Sequence, residues 1–334
     1  MPVHKTNCSA KGRDTAHLVQ DLFAPVVRPL EDVRCRLTER LTTPYNGINE
    51  QIESIGAGQG KLFRPALLLL SGLATGSLRD EHTELAMMVE LVHIATLLHD
   101  DVIDQAKTRR SRQTVNCLWG NTAAVLLGDF LLSRAFSAGA KVDVPGADAI
   151  ISHAAEQICQ GELLQNIRQG DWTMDQQDYM SIIESKTASL FAASCRLGAL
   201  ASDADTAIQK AVETYGRNLG LAFQITDDIL DITGDDKKVG KTLGTDFSQR
   251  KLTLPIIHHL NRKKAGQRKD CFEKMARLDR MQLVKTLKQS GSLEYAHSVA
   301  QTCSKQAEKA IFRIKPCVAK VAMKKIAAAI ADRA

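Results

Sequence analysis

Apolar side chains recur three and four positions apart along most of this chain, which is the spacing of one face of an α-helix. The clearest stretch runs from His82 to Asp104, where Leu85, Met88 and Val92 follow this spacing without an intervening glycine or proline. At about 1.5 Å per residue, such a helix would be roughly 35 Å long. The same criteria predict further helices at about 120–140, 147–169, 175–201, 204–232 and 253–290, and on both sides of Pro316. No stretch shows a convincing alternating strand pattern, so we predict an all-α fold.

Turns are predicted where glycine, proline and asparagine cluster, at 43–47 and 56–60. Glycine and aspartate also cluster between Gly234 and Asp246, so a loop should follow the helix that ends near Ile232. Residues 1–15 are predicted to form a flexible N-terminal tail, and residues 16–334 one helical domain, because no linker divides them. We expect a single-domain bundle of antiparallel helices around a deep apolar cavity.

The composition narrows the class of partner. Of the 334 residues, 44% are hydrophobic, which is enough for a sizeable core. The net charge of +6 comes from cations mixed with acids, and not from the aromatic-flanked basic stripe of a nucleic-acid binder. We therefore expect small anionic substrates and no nucleic acid.

Cysteine usage and hydropathy indicate the compartment. The eight cysteines include no Cys-x-x-Cys pair, so we predict reduced, mostly buried thiols and no zinc. The first 20 residues lack the apolar centre of a signal peptide, and no apolar run approaches the length of a membrane-spanning helix. The expectation is a cytoplasmic protein without an integral membrane segment.

The pattern Asp-Asp-x-x-Asp occurs twice, at 100–104 and 227–231. Positions three and four apart share a helix face, so each copy can aim its carboxylates at one point. The two sets are Asp100, Asp101 and Asp104, and Asp227, Asp228 and Asp231. Like charges this close oppose one another's ionisation, and Mg²⁺ that bridges carboxylates to substrate phosphates would relieve this. One copy alone would indicate a solvated acidic turn, whereas two copies flanked by apolar helix favour a metal site.

Basic residues accompany both clusters along the sequence. They are Lys61, Arg64, Arg109, Arg110, Lys186, Lys241 and Lys251. The planar fork of arginine suits bidentate phosphate contacts, and lysine acts as a mobile point charge. Any one of these residues could be an ordinary surface charge, but acids for metal and bases for diphosphate together indicate phosphate chemistry.

These motifs resemble those of the trans-isoprenyl diphosphate synthases, also called polyprenyl synthases, over roughly residues 20–334. The segment Gly60-Lys61-Leu62-Phe63-Arg64-Pro65 is similar to the family's Gly-Lys-x-x-Arg-Pro element, and the two aspartate clusters are similar to its two aspartate-rich motifs. The resemblance implies head-to-tail (1'-4) condensation of isopentenyl diphosphate with an allylic prenyl diphosphate. It also implies three Mg²⁺ ions per active site and a homodimer.

The resemblance implies a role for each motif residue. Those implied to bind isopentenyl diphosphate are Lys61, Arg64, His93 and Arg110. Those implied to bind the allylic diphosphate are Arg109, Lys186, Thr187, Gln224, Lys241 and Lys251. The six aspartates would hold the metal ions, and Lys186, Thr187 and Gln224 would also stabilise the surroundings of an allylic cation. No side-chain general base is evident.

For two of these residues, helical spacing also predicts a position on the same helix face as an aspartate cluster. His93 alone would be an ordinary helix histidine, but its i, i+7 relation to Asp100 puts it on the side of the first cluster. Gln224 stands three and four positions before Asp227 and Asp228, hence on their face. Departures from the family pattern are Gln59 and Lys61-Leu62 in the first element, and Ser111-Arg112-Gln113 in place of Gly-Lys-Pro. None removes a named ligand.

Product length should depend on residues one turn before the first cluster, Ala95 and Thr96. The resemblance implies that bulk at this point shortens the product and that short-chain members often carry an aromatic residue five positions before the motif. Ala95 is small, so a product longer than C20 is predicted. Alternatively, Ala95 simply packs against another helix, and the enzyme is a farnesyl or geranylgeranyl diphosphate synthase.

Three other functions compete with a complete synthase. A terpene cyclase also uses an Asp-Asp-x-x-Asp motif, but it does not need the second diphosphate site formed by Lys61, Arg64 and His93. A partner subunit of a heteromeric synthase would typically lack some of the aspartates or cations, which this chain retains. A helical scaffold that uses acidic patches only to bind proteins would bind no diphosphate.

Overall fold

The structure, a computed structural model, describes residues 22–56, 60–109, 112–234, 247 and 249–333. The all-α prediction is confirmed, because nearly every element in this part of the chain is a helix. In chain order the α-helices are α1 (Val27–Leu41), α2 (Asn46–Ile55), α3 (Phe63–Thr75), α4 (Asp80–Ile103), α5 (Val115–Trp119), α6 (Asn121–Gly139), α7 (Ala147–Ile167), α8 (Gln176–Ile183), α9 (Ser189–Ala201), α10 (Thr206–Thr233), α11 (Leu254–Asn261), α12 (Arg268–Met275), α13 (Arg280–Gln289), α14 (Ser292–Ala310) and α15 (Val318–Ala331).

Short elements complete the description. Single 3₁₀ turns precede α1 and α12, at Ala24–Val26 and Ala265–Gln267, and a π-helical turn, Glu184–Ala188, joins α8 to α9. Two short strands, β1 (Thr108–Arg109) and β2 (Arg112–Gln113), pair antiparallel between α4 and α5. The sequence did not predict this hairpin, because two residues per strand are too few to show an alternating pattern.

Helices α3, α4, α9 and α10 form the centre of the bundle, where each buries many of its side chains. The backbones of α3 and α9 approach so closely that a Cβ on Gly198 would lie 2.0 Å from the carbonyl oxygen of Leu68. Buried apolar side chains of the described residues form one continuous core. The division into a tail at 1–15 and a domain from 16 stays a prediction, since residues 1–21 lie outside the described part.

The predicted helix boundaries differ from the structure mainly at 253–290. This stretch contains α11, α12 and α13 in place of one helix. Asp279 begins α13 with a capping box, accepting a hydrogen bond from the backbone N–H of Gln282, and such a cap starts a new helix. At 43–47 the predicted turn is shorter than expected, because Asn46 and Gly47 already belong to α2.

Two further features of the described residues are the cysteine thiols and the hydropathy of the helices. Seven cysteines lie in the described residues and none is disulfide-bonded, but only Cys195 and Cys303 are buried, so the prediction of mostly buried thiols was wrong. Within the described residues, no helix is both long enough and apolar enough to cross a membrane.

Candidate active site

The first aspartate cluster lies where α4 ends. Asp100 and Asp101 occupy its last turn, and Asp104 is the residue that caps it. The carboxylate of Asp101 is buried and accepts a hydrogen bond from Arg109 Nε at 2.8 Å. Arg109 reaches it because β1 folds back from the end of α4. Asp104 Oδ1 accepts a hydrogen bond from Lys251 Nζ at 2.6 Å.

Lys186 compensates the charge of the same cluster from the π-helical turn. The turn packs against α7 at Gly161, where a Cβ would lie 2.5 Å from the backbone nitrogen of Lys186. Lys186 Nζ donates to Gln165 Oε1 at 2.8 Å and forms an ion pair with Glu162. Although burial opposes its charge, the carboxylates of Asp100 and Glu162 raise the pKa of Lys186. The ammonium is therefore held charged beside the cluster.

Asp100 is the least compensated carboxylate of the first cluster. Burial raises its pKa to about 6, and the opposing effect of Lys186 is smaller. Burial likewise raises the pKa of Asp101, against the effect of Arg109. A buried carboxylate with a raised pKa favours a cation next to it.

The second cluster lies near the end of α10, and two neutral side chains donate hydrogen bonds to its Asp228. Asp228 accepts from Tyr179 Oη at 2.7 Å and from Gln224 Nε2 at 2.8 Å. Gln224 Oε1 in turn accepts a hydrogen bond from Thr187 Oγ1 at 2.8 Å. Asp228 and Asp231 are both buried.

The π-helical turn connects the two clusters. Lys186 is close enough to Asp100 to affect its pKa, while the adjacent Thr187 reaches Asp228 through Gln224. π-Helical turns inside α-helices occur frequently at functional sites. Here the wider turn lets consecutive residues serve both clusters, which therefore lie at the same end of the bundle.

A cavity of about 290 Å³ lies beside the first cluster. Its lining includes Gly60, Glu90, His93, Asp101, Arg109 and Arg112. This brings His93 together with the first cluster, as the spacing predicts. Arg109 shares this cavity, although the resemblance implies that it binds the allylic diphosphate. Lys61 and Arg64 do not line it.

Arg64 lies on the first turn of α3, with its guanidinium carbon 4.7 Å from the centroid of the Phe191 ring. Burial lowers the pKa of Arg64 to about 10, so the side chain remains charged at neutral pH. Its buried Nε has no hydrogen-bond partner among the described residues. A buried guanidinium donor without a partner fits an anion as its acceptor. Lys61, two residues before α3, is exposed.

A second cavity, of about 230 Å³, lies on the other side of Asp104. Glu162, Gln165, Gln249 and Lys251 are among the residues that line it. Gln249 Nε2 donates to the carbonyl oxygen of Asp104 at 2.8 Å, which fixes the segment carrying Lys251 to the end of α4. Two cavities thus flank the first cluster: Arg109 and Arg112 line the first, and Lys251 lines the second.

The two residues predicted to affect product length lie on α4. Ala95 is fully buried, whereas Thr96 is partly exposed and donates to the carbonyl oxygen of His93 at 2.8 Å. Arg110 and Lys241, which the resemblance implies as diphosphate ligands, lie outside the described residues.

Four residues of this site have no motif of their own in the sequence: Tyr179, Glu162, Gln165 and Gln249. Glu162 and Gln165 stand three apart, hence on one face of α7, and Gln249 precedes Lys251 by two residues. Tyr179 stands seven residues before Lys186 in one helical run, which could have indicated a shared face. Such signals are too common to select these residues without the neighbouring helix.

The carboxylate set fits a hard divalent cation, although it is not assembled around one. Among the described residues, no three His, Cys, Asp or Glu side chains are grouped closely enough to hold a metal ion. Asp101 and Asp104 are paired with Arg109 and Lys251 instead. The raised pKa of Asp100 and the all-oxygen donors nevertheless match the preference of Mg²⁺ and Ca²⁺. Binding would require Arg109 and Lys251 to leave the carboxylates.

Comparison with known proteins identifies the family of this chain. A family model described as Polyprenyl synthetase matches residues 46–290. Octaprenyl diphosphate synthase of Escherichia coli (strain K12) is 36% identical over 229 residues, 69% of this chain and 71% of that protein. Short chain isoprenyl diphosphate synthase of Methanothermobacter thermautotrophicus is 32% identical over 311 residues, 91% of this chain and 95% of that protein. The crystal structure of a polyprenyl synthase from Caulobacter crescentus, complexed with calcium and isoprenyl diphosphate, matches with a TM-score of 0.89 and 32% identity, covering 95% and 98% of the two chains.

A helical bundle with two aspartate-rich motifs and cations beside them at one end, together with these relatives, defines a prenyltransferase. The chain belongs to the polyprenyl synthetase family. It joins isopentenyl diphosphate to an allylic prenyl diphosphate, and its family is metal-dependent.

Proposed function

We propose that this enzyme makes a trans-polyprenyl diphosphate longer than C20 and that it uses Mg²⁺, with three ions per active site. Ala95 carries the proposal on length. It is fully buried on α4, five residues before Asp100, the position at which the resemblance implies that a bulky side chain shortens the product. The similarity to an octaprenyl diphosphate synthase supports the same assignment.

The six motif aspartates would hold the ions, which when bound supply positive charge that makes the allylic diphosphate a better leaving group. Arg109, Lys186 and Lys251 already lie at the first cluster and would hold the diphosphate oxygens on which negative charge develops. Lys241 is proposed to join them. Thr187 and Gln224, linked at 2.8 Å, would orient Asp228 and face the allylic cation.

Isopentenyl diphosphate would bind on the side of Arg64 and His93, with Lys61 and Arg110 as further cationic contacts. The partnerless Nε of Arg64 and the cavity lined by His93 support this assignment. The carbon–oxygen bond of the allylic diphosphate would break first; docking there would then present the double bond to the resulting allylic cation, so that the carbon–carbon bond forms. We assign the released proton to the departing diphosphate.

A series of substitutions at Ala95 tests the product length. Purified enzyme, isopentenyl diphosphate, Mg²⁺ and separate C5, C10, C15 and C20 allylic primers are incubated, and products are sized by mass spectrometry. The native chain is expected to extend primers beyond C20. Ala95→Ser, which keeps the volume small, should leave the distribution unchanged, whereas Ala95→Leu and Ala95→Phe should shorten it progressively. A native ladder that stops at C15 or C20, or one that Ala95→Phe does not shift, contradicts the proposal.

The same assay distinguishes the alternatives. A short-chain synthase has a specific observation in its favour, since the archaeal short-chain relative matches a larger share of this chain than the octaprenyl synthase does. It would yield C15 or C20 as the final product. Failure to extend any primer would indicate that a second subunit is needed. Omission of Mg²⁺ should abolish extension, and its return should restore it.

We also propose a homodimer in the cytoplasm. Large apolar side chains are exposed on consecutive helices α5, α6 and α7: Leu118, Trp119, Val125, Leu126, Leu163, Leu164 and Ile167. A second copy could cover them, because oligomer interfaces are richer in apolar side chains than the rest of the surface. Light scattering should give twice the chain mass, and Leu126→Arg should reduce it. A monomeric native protein would exclude the dimer.

A further inference from the structure

We propose that the turn between α14 and α15 docks on the surface of anionic lipid bilayers. The docking surface consists of Phe312, Arg313, Lys315, Val318, Val321, Lys324 and Lys325. None of these residues belongs to the catalytic site described above. The surface combines exposed apolar side chains at a turn with a surrounding set of cations.

The apolar part of the docking surface is unusually exposed. Phe312 is 79% exposed and Val318 is 71% exposed, and Val321 is exposed on the same helix. Val318, Val321 and Lys325 follow i, i+3, i+7 spacing, so they share one face of α15. Their neighbours Ile311 and Ile314 are buried and anchor the turn in the core.

The turn is also held in shape. Lys320 Nζ donates hydrogen bonds to the carbonyl oxygen of Phe312 at 3.0 Å and to that of Ile314. The lysine thereby satisfies two carbonyl acceptors of the turn that follows α14 and ties this turn to α15. Phe312 therefore points away from the protein without further ordering, so little conformational entropy is lost when it inserts between lipid headgroups.

The positive charge of the docking surface indicates an anionic partner. From Lys309 to Ala331 the sequence has six cations, Lys309, Arg313, Lys315, Lys320, Lys324 and Lys325, and no acidic residue. Phosphatidylglycerol and similar headgroups complement this charge, and lysine stems can lie along the acyl boundary while the ammonium groups stay at the phosphates. Amphipathic surfaces with this combination bind anionic interfaces.

A lipid surface fits better than the other partners. A second copy of the same surface would bring the cations face to face, because a two-fold contact pairs a patch with itself. A nucleic acid would match the cations but leave Val318 and Val321 without an apolar contact. The choice also rests on the proposed function, since a product longer than C20 is apolar and has to leave the enzyme for a bilayer.

Vesicle binding by the full-length protein without substrates tests the proposal. Co-sedimentation is measured with vesicles of phosphatidylcholine alone and of phosphatidylcholine mixed with an equal amount of phosphatidylglycerol. Two double variants, Phe312→Ser with Val318→Ser and Lys315→Gln with Lys325→Gln, are compared with matched controls. The apolar control is Tyr45→Ser, which removes a side chain that is 67% exposed next to the acidic helix α2. The charge control is Lys141→Gln with Lys210→Gln, both exposed on other helices or turns.

The native chain should bind the anionic vesicles and not the neutral ones. Loss of each lysine should weaken binding about five-fold, and loss of the two apolar side chains about ten-fold or more. The controls should stay within about two-fold, with unchanged melting temperatures. Absence of binding to anionic vesicles, or equal binding by the double variants, overturns the proposal. The proposal is also overturned if the native chain binds DNA or RNA tightly and the same double variants lose that binding. Prenyl chain length is measured separately, so either proposal can fail alone.

Discussion

The two aspartate motifs share a sequence pattern but differ in how the fold holds them. In the first motif, Asp101 and Asp104 are paired with the cations Arg109 and Lys251, and Lys186 lies close to Asp100. In the second, Asp228 is held by the neutral groups of Tyr179 and Gln224. The cations of the first motif are also the residues proposed to bind diphosphate. If these cations and carboxylates bind substrate and metal as proposed, the first motif exchanges its partners on binding, whereas Asp228 is already oriented.

The largest effect should come from removing a carboxylate of the first motif. Asp101→Asn keeps the shape of the side chain but removes the charge that pairs with Arg109 and that is proposed to bind a metal ion. We expect kcat/KM to fall about 10³-fold or more, measured by incorporation of labelled isopentenyl diphosphate. Asp129→Asn, on the exposed face of α6, is the control and should retain activity. Retention of activity in Asp101→Asn would contradict a metal role for this residue.

Lys251→Gln tests whether a cation moves from the carboxylate to the substrate. The ammonium group now donates to Asp104 Oδ1 at 2.6 Å. If it transfers to the allylic diphosphate, its loss should raise KM for the allylic primer about ten- to a hundred-fold and leave KM for isopentenyl diphosphate nearly unchanged. Lys269→Gln serves as the control. An equal rise in both KM values would contradict a specific contact between Lys251 and the allylic diphosphate.

The ionisation of Asp100 should make the stability of the protein depend on pH. Burial raises its pKa to about 6, so the folded state takes up a proton more readily than the unfolded state. The contribution of Asp100 to the free energy of unfolding should thus be largest below about pH 4 and fall by about 3 kcal/mol at most as pH rises through 6. Asp100→Asn should remove this slope and unfold at a higher temperature than the native chain at pH 7. Added Mg²⁺ should stabilise the native chain and not the variant; the reverse result would exclude Asp100 as a ligand.

The smallest expected effect concerns the orientation of the second motif. Tyr179→Phe removes the hydrogen bond that the hydroxyl donates to Asp228 Oδ2 and keeps the ring. We expect kcat to fall about ten-fold with KM unchanged, and stability to fall by about 1 kcal/mol. Tyr295→Phe, whose hydroxyl donates to Gln176 away from the site, is the matched control and should affect stability alone. Equal kcat values in the two variants would make Tyr179 a purely structural residue.

The sequence by itself determined the helical class, the two carboxylate motifs and the link between Gln224 and Asp228, because all three depend on contacts within a few residues. Helical spacing fixes which side chains share a face, whatever packs against it. Helical spacing also predicts α4 and α10 to within a few residues. It predicts one helix, however, where the structure has α11, α12 and α13. Their boundaries depend on local caps such as Asp279, which apolar spacing does not reveal.

Only the tertiary structure decided which groups meet across the bundle. Tyr179 and Asp228 are hydrogen-bonded although they are 49 positions apart in the sequence, and Lys251 and Asp104 are 147 positions apart. No local sequence pattern encodes contacts between positions so far apart. The π-helical turn, the hairpin that carries Arg109, and the exposure of Phe312 likewise depend on which helices pack together. Burial, and with it the raised pKa of Asp100, arises when the whole core forms, because desolvation is a property of all the neighbours at once.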